Sequence, residues 1–151
     1  MQIINLKEVP GHLETLANWH HEQWSYLNPE KTLAERIEKM QSHLMPDFIP
    51  TTFVAVGQEL FGSAAIIECD MDTRKELSPW LASVFVAPEF RKQGIGSRLV
   101  LHAMEQAKNN KIKTLYLYTP DRDAFYARLG WSKLEKTDYH GYPVTIMSVN
   151  L

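Results

Sequence analysis

The spacing of apolar residues changes character several times along the chain, and each change marks an element. Residues 1–8, MQIINLKE, read as a short first strand that Pro10-Gly11 breaks. Leu13, Leu16, Ala17, His20, Trp24 and Leu27 then recur at helical spacing until Asn28-Pro29 ends the pattern. A second helix is predicted from about Thr32, an N-cap with Glu35 three residues on. Its apolar face is Leu33, Ile37, Met40 and Leu44, and Pro46 lies just beyond. The period shortens at TTFVAV, residues 51–56, which Gly57-Gln58-Glu59 turns back into LFGSAAIIECD. The polar stretch MDTRKELS leads into WLASVFV, the third strand of this meander. Next comes a helix over 97–110 with Ile95, Leu99, Ala103 and Ala107 on its apolar face, then the strand TLYLYT. A short helix, DAFYARLG, stops at Gly130, and two last strands cover about 131–138 and 143–150.

The predicted order is therefore β-α-α-β-β-β-α-β-α-β-β. It combines an antiparallel meander with a βαβ crossover through the 97–110 helix, so the fold class is α/β with a mixed sheet. At 151 residues, without repeats or linker-like stretches, the chain is expected to form a single domain over 1–151. One cysteine, Cys69, excludes an internal disulfide framework and multi-cysteine zinc sites. His20-His21-Glu22 lacks the spacing of a helical zinc site and His20 falls on the apolar face, so no metal is expected. A net charge of −2 argues against a nucleic-acid partner. No apolar run reaches the ~18 residues of a membrane span and no secretory leader pattern is visible, which predicts a cytoplasmic protein.

One stretch carries chemistry. Residues 83–100, SVFVAPEFRKQGIGSRLV, set a basic, glycine-containing segment between a strand and a helix. A helix start offers up to four N–H groups without intrahelical partners and the positive end of its dipole. Gly94 and Gly96 let a ligand approach those amides, and Arg91 and Lys92 add charge, which together suit a phosphate or pyrophosphate. The nucleotide P-loop pattern is absent. The dinucleotide fingerprint would need a third glycine where Leu99 stands. What remains is R-x-x-G-x-G after a strand ending in Val-Ala-Pro.

That pattern, Arg91-Lys92-Gln93-Gly94-Ile95-Gly96, resembles the pyrophosphate signature of the GNAT superfamily of acetyl-CoA-dependent N-acetyltransferases. Phe125-Tyr126, Gly130 and Trp131 match its downstream F-Y-x-x-x-G-aromatic signature, and the element order fits over nearly the whole chain. The resemblance implies a mostly antiparallel sheet whose central parallel strands, 80–87 and 114–119, splay around the cofactor. It implies acetyl-CoA as co-substrate, with Arg91, Lys92, Gln93, Gly94, Ile95, Gly96 and Ser97 at the pyrophosphate. It also implies main-chain bonds from Phe85 and Val86 to the pantetheine arm and thioester. Thr119 stands where relatives often have an asparagine on that arm. Tyr126 matches the tyrosine that serves the leaving thiolate. With an ordinary phenol pKa near ~10 against ~8.5 for a thiol, Tyr126 is expected to act as hydrogen-bond donor and late acid. Phe125 is read as core.

The sequence departs from the family where relatives carry a catalytic glutamate early in the central strand, because Trp80 and Leu81 occupy that place. Glu22, Glu68 and Asp70 are the carboxylates left, and each reads as structural before catalytic; water or the free-amine fraction of the substrate are the other routes. The acceptor side is expected in WHHEQWSYLNPE and TDYHGYPV, with Glu22, Trp24, Tyr26 and Tyr142 binding a small amine or a peptide N-terminus. The protein is expected to work as a monomer or homodimer. A non-catalytic acyl-CoA-binding module is the competing reading, favoured by Trp80 and opposed by Tyr126.

Overall fold

A computed structural model describes residues 1–151. One seven-stranded sheet runs in the order β1-β2-β3-β4-β5-β7-β6, where β1 is Gln2–Asn5, β2 Thr51–Val56, β3 Leu60–Ile67, β4 Trp80–Val86, β5 Thr114–Thr119, β6 Ser132–Tyr139 and β7 Tyr142–Asn150. Every neighbouring pair is antiparallel except β4 and β5, which are parallel. The four helices are α1 (Leu13–Trp24), α2 (Leu33–Met40), α3 (Ile95–Asn109) and α4 (Asp123–Ala127). The α/β class, mixed sheet and element order expected from the pattern are all present.

Helices cover both faces of the sheet, which explains the unbroken apolar run of β2. Val54 and Val56 pack under α1 with Leu13, Leu16 and Ala17, while Phe53 and Ala55 face α3 with Leu99, Val100 and Ala103. A strand buried on both faces has no polar side to show. Complete burial of a side chain such as Leu99 is worth roughly 1.5–3 kcal/mol, so these clusters dominate the stability. At the far edge, β6 is exposed along most of its length and carries Lys133, Glu135, Lys136 and Asp138, charges that discourage edge pairing.

Boundaries moved where local hydrogen bonds competed with the periodicity. The first strand stops at Asn5, whose side chain accepts from Lys7 N–H while Glu8 bonds back, and a 3₁₀ turn replaces residues 6–8 of the predicted strand. The Thr32–Glu35 capping box forms as expected. The helical spacing through Leu27 and Leu44 is real, but its last turns, Ser25–Leu27 and Gln41–Leu44, are 3₁₀. Helix α3 begins two residues earlier than predicted and so includes Gly96. No helix is long and apolar enough to cross a membrane.

Two histidines are buried beneath α1 and the turn after α2. His20 Nε2 lies 2.9 Å from Ser63 Oγ, and His43 Nδ1 lies 2.8 Å from Thr52 Oγ1. Burial is the main cause that lowers His20 to about 3 and His43 to about 4. Both are therefore neutral in the folded chain at pH values where the unfolded chain protonates them. Stability should be complete above pH ~6.5 and fall as pH drops toward 4, by about 1 kcal/mol per histidine between pH 7 and 5.5. Urea denaturation across that range checks this, and His43→Gln should flatten the decline relative to the parent.

Candidate active site

β4 and β5 pair in parallel at only one position, Trp80 with Tyr116, closed by Tyr116 N–H to Pro79 O at 3.1 Å. Beyond that pair the strands part, and a cleft of about 530 Å³ opens between them. Its walls come from β4 (Leu81 to Val86), β5 (Leu117, Tyr118, Thr119), the start of α3, and α4 with Phe125 and Tyr126. Trp24, Gln23 and Asp70 close one end, and Arg91, Lys92 and Gly94 form the other.

The parting has a local cause. From Ser63 to Ala65 in β3 the partner positions run from Phe85 to Ala82, two steps against three, so β4 carries one extra residue. Ser83 sits in this bulge at φ 52°, a conformation uncommon outside glycine. The extra residue resets the side-chain alternation. Phe85 consequently turns to the α1 face against Trp19 and Trp24, while Leu81, Val84 and Val86 face α3. Gly62 makes room for the same irregularity, because a Cβ there would lie 2.3 Å from the Phe85 carbonyl oxygen.

At the basic end, Lys92 and Gly94 both adopt left-handed backbone, with φ 65° and 79°. Gly94 is the N-cap of α3 and no side chain caps that end. The first intrahelical bond is Arg98 N–H to Gly94 O at 3.1 Å, so the amides from Gly94 to Ser97 have no intrahelical partner. Nothing lies within 4 Å of the space above Gly94. An uncapped helix start beside exposed Arg91 and Lys92 is a ready anion site. Arg91 is partly engaged already. Its Nε donates to Val86 O at 2.8 Å and its guanidinium lies 5.4 Å from the Phe85 ring centre.

Tyr126 is buried and lines the cleft, and burial pushes its phenol pKa up, so it holds its proton at neutral pH. Phe125, expected in the core, is only half-buried and forms cleft wall beside Gly96. Thr119 lines the cleft, and its Oγ1 accepts Arg122 N–H at 3.0 Å, which leaves its hydroxyl hydrogen for a ligand. Gln93 is exposed and does not line the cleft, unlike its neighbours Lys92 and Gly94.

Asp70, read from the sequence as structural before catalytic, is the one of the three candidate carboxylates that lines the cleft. It follows the end of β3, is half-buried, and lines the cleft at the Trp24 end. Burial raises its carboxyl pKa to about 6, against the opposing pull of Lys39, Lys31 and Arg36. The Tyr118 phenol, also in the cleft lining, is raised chiefly by its own burial and further by the Asp70 charge. Glu22 and Glu68, its rivals in the sequence, are exposed and outside the cleft. Only the fold could separate them, because an acid after a strand usually faces solvent. Trp80, at the place where the family resemblance implies an acid, is wholly buried, with Nε1–H donating to Leu77 O at 2.6 Å. Of the acceptor-side residues, Trp24 lines the cleft and Glu22 does not. The neighbouring Gln23, exposed on the same helix, lines it instead. Tyr26 and Tyr142 pair edge-to-face at 4.9 Å on the surface, outside the cleft lining.

Residues 13–131 match the Acetyltransferase (GNAT) family. The chain belongs to that family. Over 98 residues it is 30% identical to N-alpha-acetyltransferase 30 of Schizosaccharomyces pombe, a match covering 62% of this chain and 63% of that relative. Among solved structures, an aminoglycoside 6'-N-acetyltransferase complexed with coenzyme A superposes with a TM-score of 0.75 at 20% identity, covering 99% of this chain and 97% of that one. A ribosomal-protein-alanine N-acetyltransferase from Brucella melitensis gives 0.74 at 18% identity with both chains fully covered. These structures share the GNAT fold with this chain.

The close approach of β3 to the bulge gives a direct test. Gly62→Ala should destabilise the protein by roughly 1–3 kcal/mol, because the clashing atom is main chain and cannot swing aside. Denaturant titration measures it, and an unchanged midpoint would contradict the tight β3–β4 approach.

Proposed function

We propose that residues 1–151 act as one unit that moves the acetyl group of acetyl-CoA to a primary amine by direct attack. The observation that carries this reading is the uncapped start of α3, with its amides at the mouth of a cleft between two parted parallel strands. The residues present fit the coenzyme. Gly94, Ile95, Gly96 and Ser97 offer main-chain donors to the pyrophosphate, and Arg91 and Lys92 offer charge, with Gln93 reduced to a peripheral main-chain role. Phe85 and Val86 flank the pantetheine arm, although the Val86 carbonyl is shared with Arg91. Thr119 faces the same arm with its free hydroxyl hydrogen. Acetyl-CoA brings an acetyl group activated as a thioester, and the protein supplies positioning and proton handling.

Asp70 is the general base of this reading. A carboxylate lifted to about 6 remains charged at neutral pH yet is a stronger proton acceptor than an exposed one. Tyr126 donates to the departing sulfur, a role that suits a phenol held in its protonated form. Main-chain N–H groups of the β4 bulge face the carbonyl oxygen as charge develops. Trp24 and Tyr118 wall the amine's approach, Gln23 takes the place on the cleft first given to Glu22, and Tyr26 with Tyr142 forms an outer rim. The acceptor is a small amine or a peptide N-terminus. The binding-module alternative loses its support, since Trp80 is a core residue and Asp70 supplies a carboxylate elsewhere.

Gly96→Ala separates binding from folding. The added methyl meets Phe125 and Val86 at 3.6 and 3.7 Å, ordinary contact distances, and alanine favours a helix over glycine. The melting temperature should hold or rise while the Kd for coenzyme A, read by calorimetry, weakens roughly tenfold. Thiol release from acetyl-CoA across a panel of amines tests the chemistry. With any accepted amine, the rate should climb with pH through about 6 as Asp70 ionises. Asp70→Asn should remove that limb and lower kcat by about 10²–10⁴-fold. An Asp70→Asn variant with parental rate and profile would remove Asp70 from the role.

A further inference from the structure

The β4 bulge is held from the opposite layer of the protein by two side chains that touch neither the pyrophosphate turn nor Tyr126. Ser63 of β3 is fully buried, and its hydroxyl donates to the carbonyl oxygen of Ser83, the residue at φ 52°, at 2.8 Å. A serine hydroxyl has one hydrogen, so with that hydrogen spent it can only accept from His20 Nε2 at 2.9 Å. The imidazole is therefore fixed as its Nε2–H form. Burial keeps it neutral, so this arrangement persists through the neutral range. The chain α1 to His20 to Ser63 to Ser83 is a set of consecutive, fully directional hydrogen bonds in a buried setting.

A trans peptide points its C=O and N–H in opposite directions. With the Ser83 oxygen drawn toward Ser63, the Val84 N–H is turned away from β3, and both Ser83 and Val84 line the cleft. Rotating that one peptide would move the N–H without moving the strand ends, since Trp80 and Val86 are each held by their own pairings. We propose that His20 and Ser63 are positioning residues for acetyl transfer: they clamp the Ser83–Val84 peptide so that its N–H faces the reacting carbonyl in the gap between β4 and β5. The inference rests on the reading of this cleft as the acetyl-CoA site.

The clamp also ties the two halves of the site together. His20 and Trp24 stand one helical turn apart on α1 with rings 5.5 Å apart, and both pack against Phe85 of β4, at 6.3 and 6.0 Å. The helix that brings Trp24 to the acceptor end is thus the helix that fixes the bulge. A displacement of α1 disturbs amine and carbonyl together. This gives a physical reason for a buried polar pair where valine and leucine would pack with no desolvation cost.

Acetyl-CoA carrying a ¹³C-labelled carbonyl reads the clamp directly, because a hydrogen bond to a thioester carbonyl lowers its infrared stretching frequency. The experiment compares the parent with Ser63→Ala, Ser63→Thr and His20→Gln, and measures the Kd of coenzyme A and the melting temperature for each. The parent should lower the carbonyl frequency on binding. Ser63→Ala should bind coenzyme A within about twofold of the parent but return the frequency toward its solution value, with kcat down by about 10–100-fold on an accepted amine. Ser63→Thr, which keeps the hydroxyl, should retain the shift. His20→Gln, which keeps an N–H donor at similar reach on a more flexible side chain, guards against loss of folding in the alanine variant and should give an intermediate frequency. A parental frequency in folded Ser63→Ala and His20→Gln would overturn the clamp and leave the cofactor placement standing. A parent that binds no coenzyme A would overturn the cleft assignment, and the clamp with it.

Discussion

The extra residue in β4 governs the architecture of the site. Without it, the alternation of side chains would run unbroken from Trp80 and put Phe85 on the α3 face, where Val84 and Val86 now sit. With it, the strand changes register against β3 and loses its partner on the other side. The cleft opens where a parallel sheet would otherwise continue. Gly62, Ser63 and His20 accommodate and hold this irregularity, and each has a distinct job: room, capture of the carbonyl, and orientation of the hydroxyl. The energetic logic is that a strained peptide persists only when its surroundings over-determine it.

From that opening the other functional features follow by position. Helix α3 starts at one end of the parted strands and presents uncapped amides, since Gly94 contributes no side chain that could satisfy them. Asp70 emerges at the other end, where the turn after β3 passes close to β4 and β5. Burial there changes its chemistry, raising a surface-type carboxyl to about 6. Tyr126 arrives from α4, whose entry turn is fixed by Thr119 Oγ1 accepting backbone N–H groups. A phenol, a carboxylate and an uncapped helix start thus converge on one cleft from separate stretches of chain.

The rim at the Trp24 end of the cleft is held together differently, by ties between loops. His140, at the tip between β6 and β7, bonds through Nδ1 to Leu27 O at 2.6 Å, and its Nε2 lies 3.4 Å from Asp72. The turn after α1, the loop after β3 and the last hairpin therefore share one anchor. The Tyr26–Tyr142 pair sits across the same junction. Such a rim can differ between relatives without disturbing the sheet, which fits a family whose solved members, at 18–24% identity, act on different amines by their names.

Local chemistry made much of this legible from the amino-acid order. The Thr32–Glu35 box, the β-branched runs, the Gly94–Gly96 turn and the Phe125-Tyr126 pattern each act through near neighbours, so their consequences can be read within a few residues. The residues whose placement could not be read from near neighbours depend on distant partners. Whether Asp70 or Glu22 faces the cleft is decided by how β3 and α1 lie against β4, and Gln23 rather than Glu22 borders the cleft for the same reason. Trp80 looked like a missing base in one dimension and is a core side chain in three. The bulge at Ser83 gave no signal at all, because it is held by a hydroxyl twenty residues earlier in the chain and a histidine forty-three residues before that hydroxyl. Sequence determined the elements and the glycine turn at the start of α3, since helix and turn preferences are local. Tertiary packing decided which acid is desolvated and where the sheet opens, since both depend on contacts between segments remote along the chain.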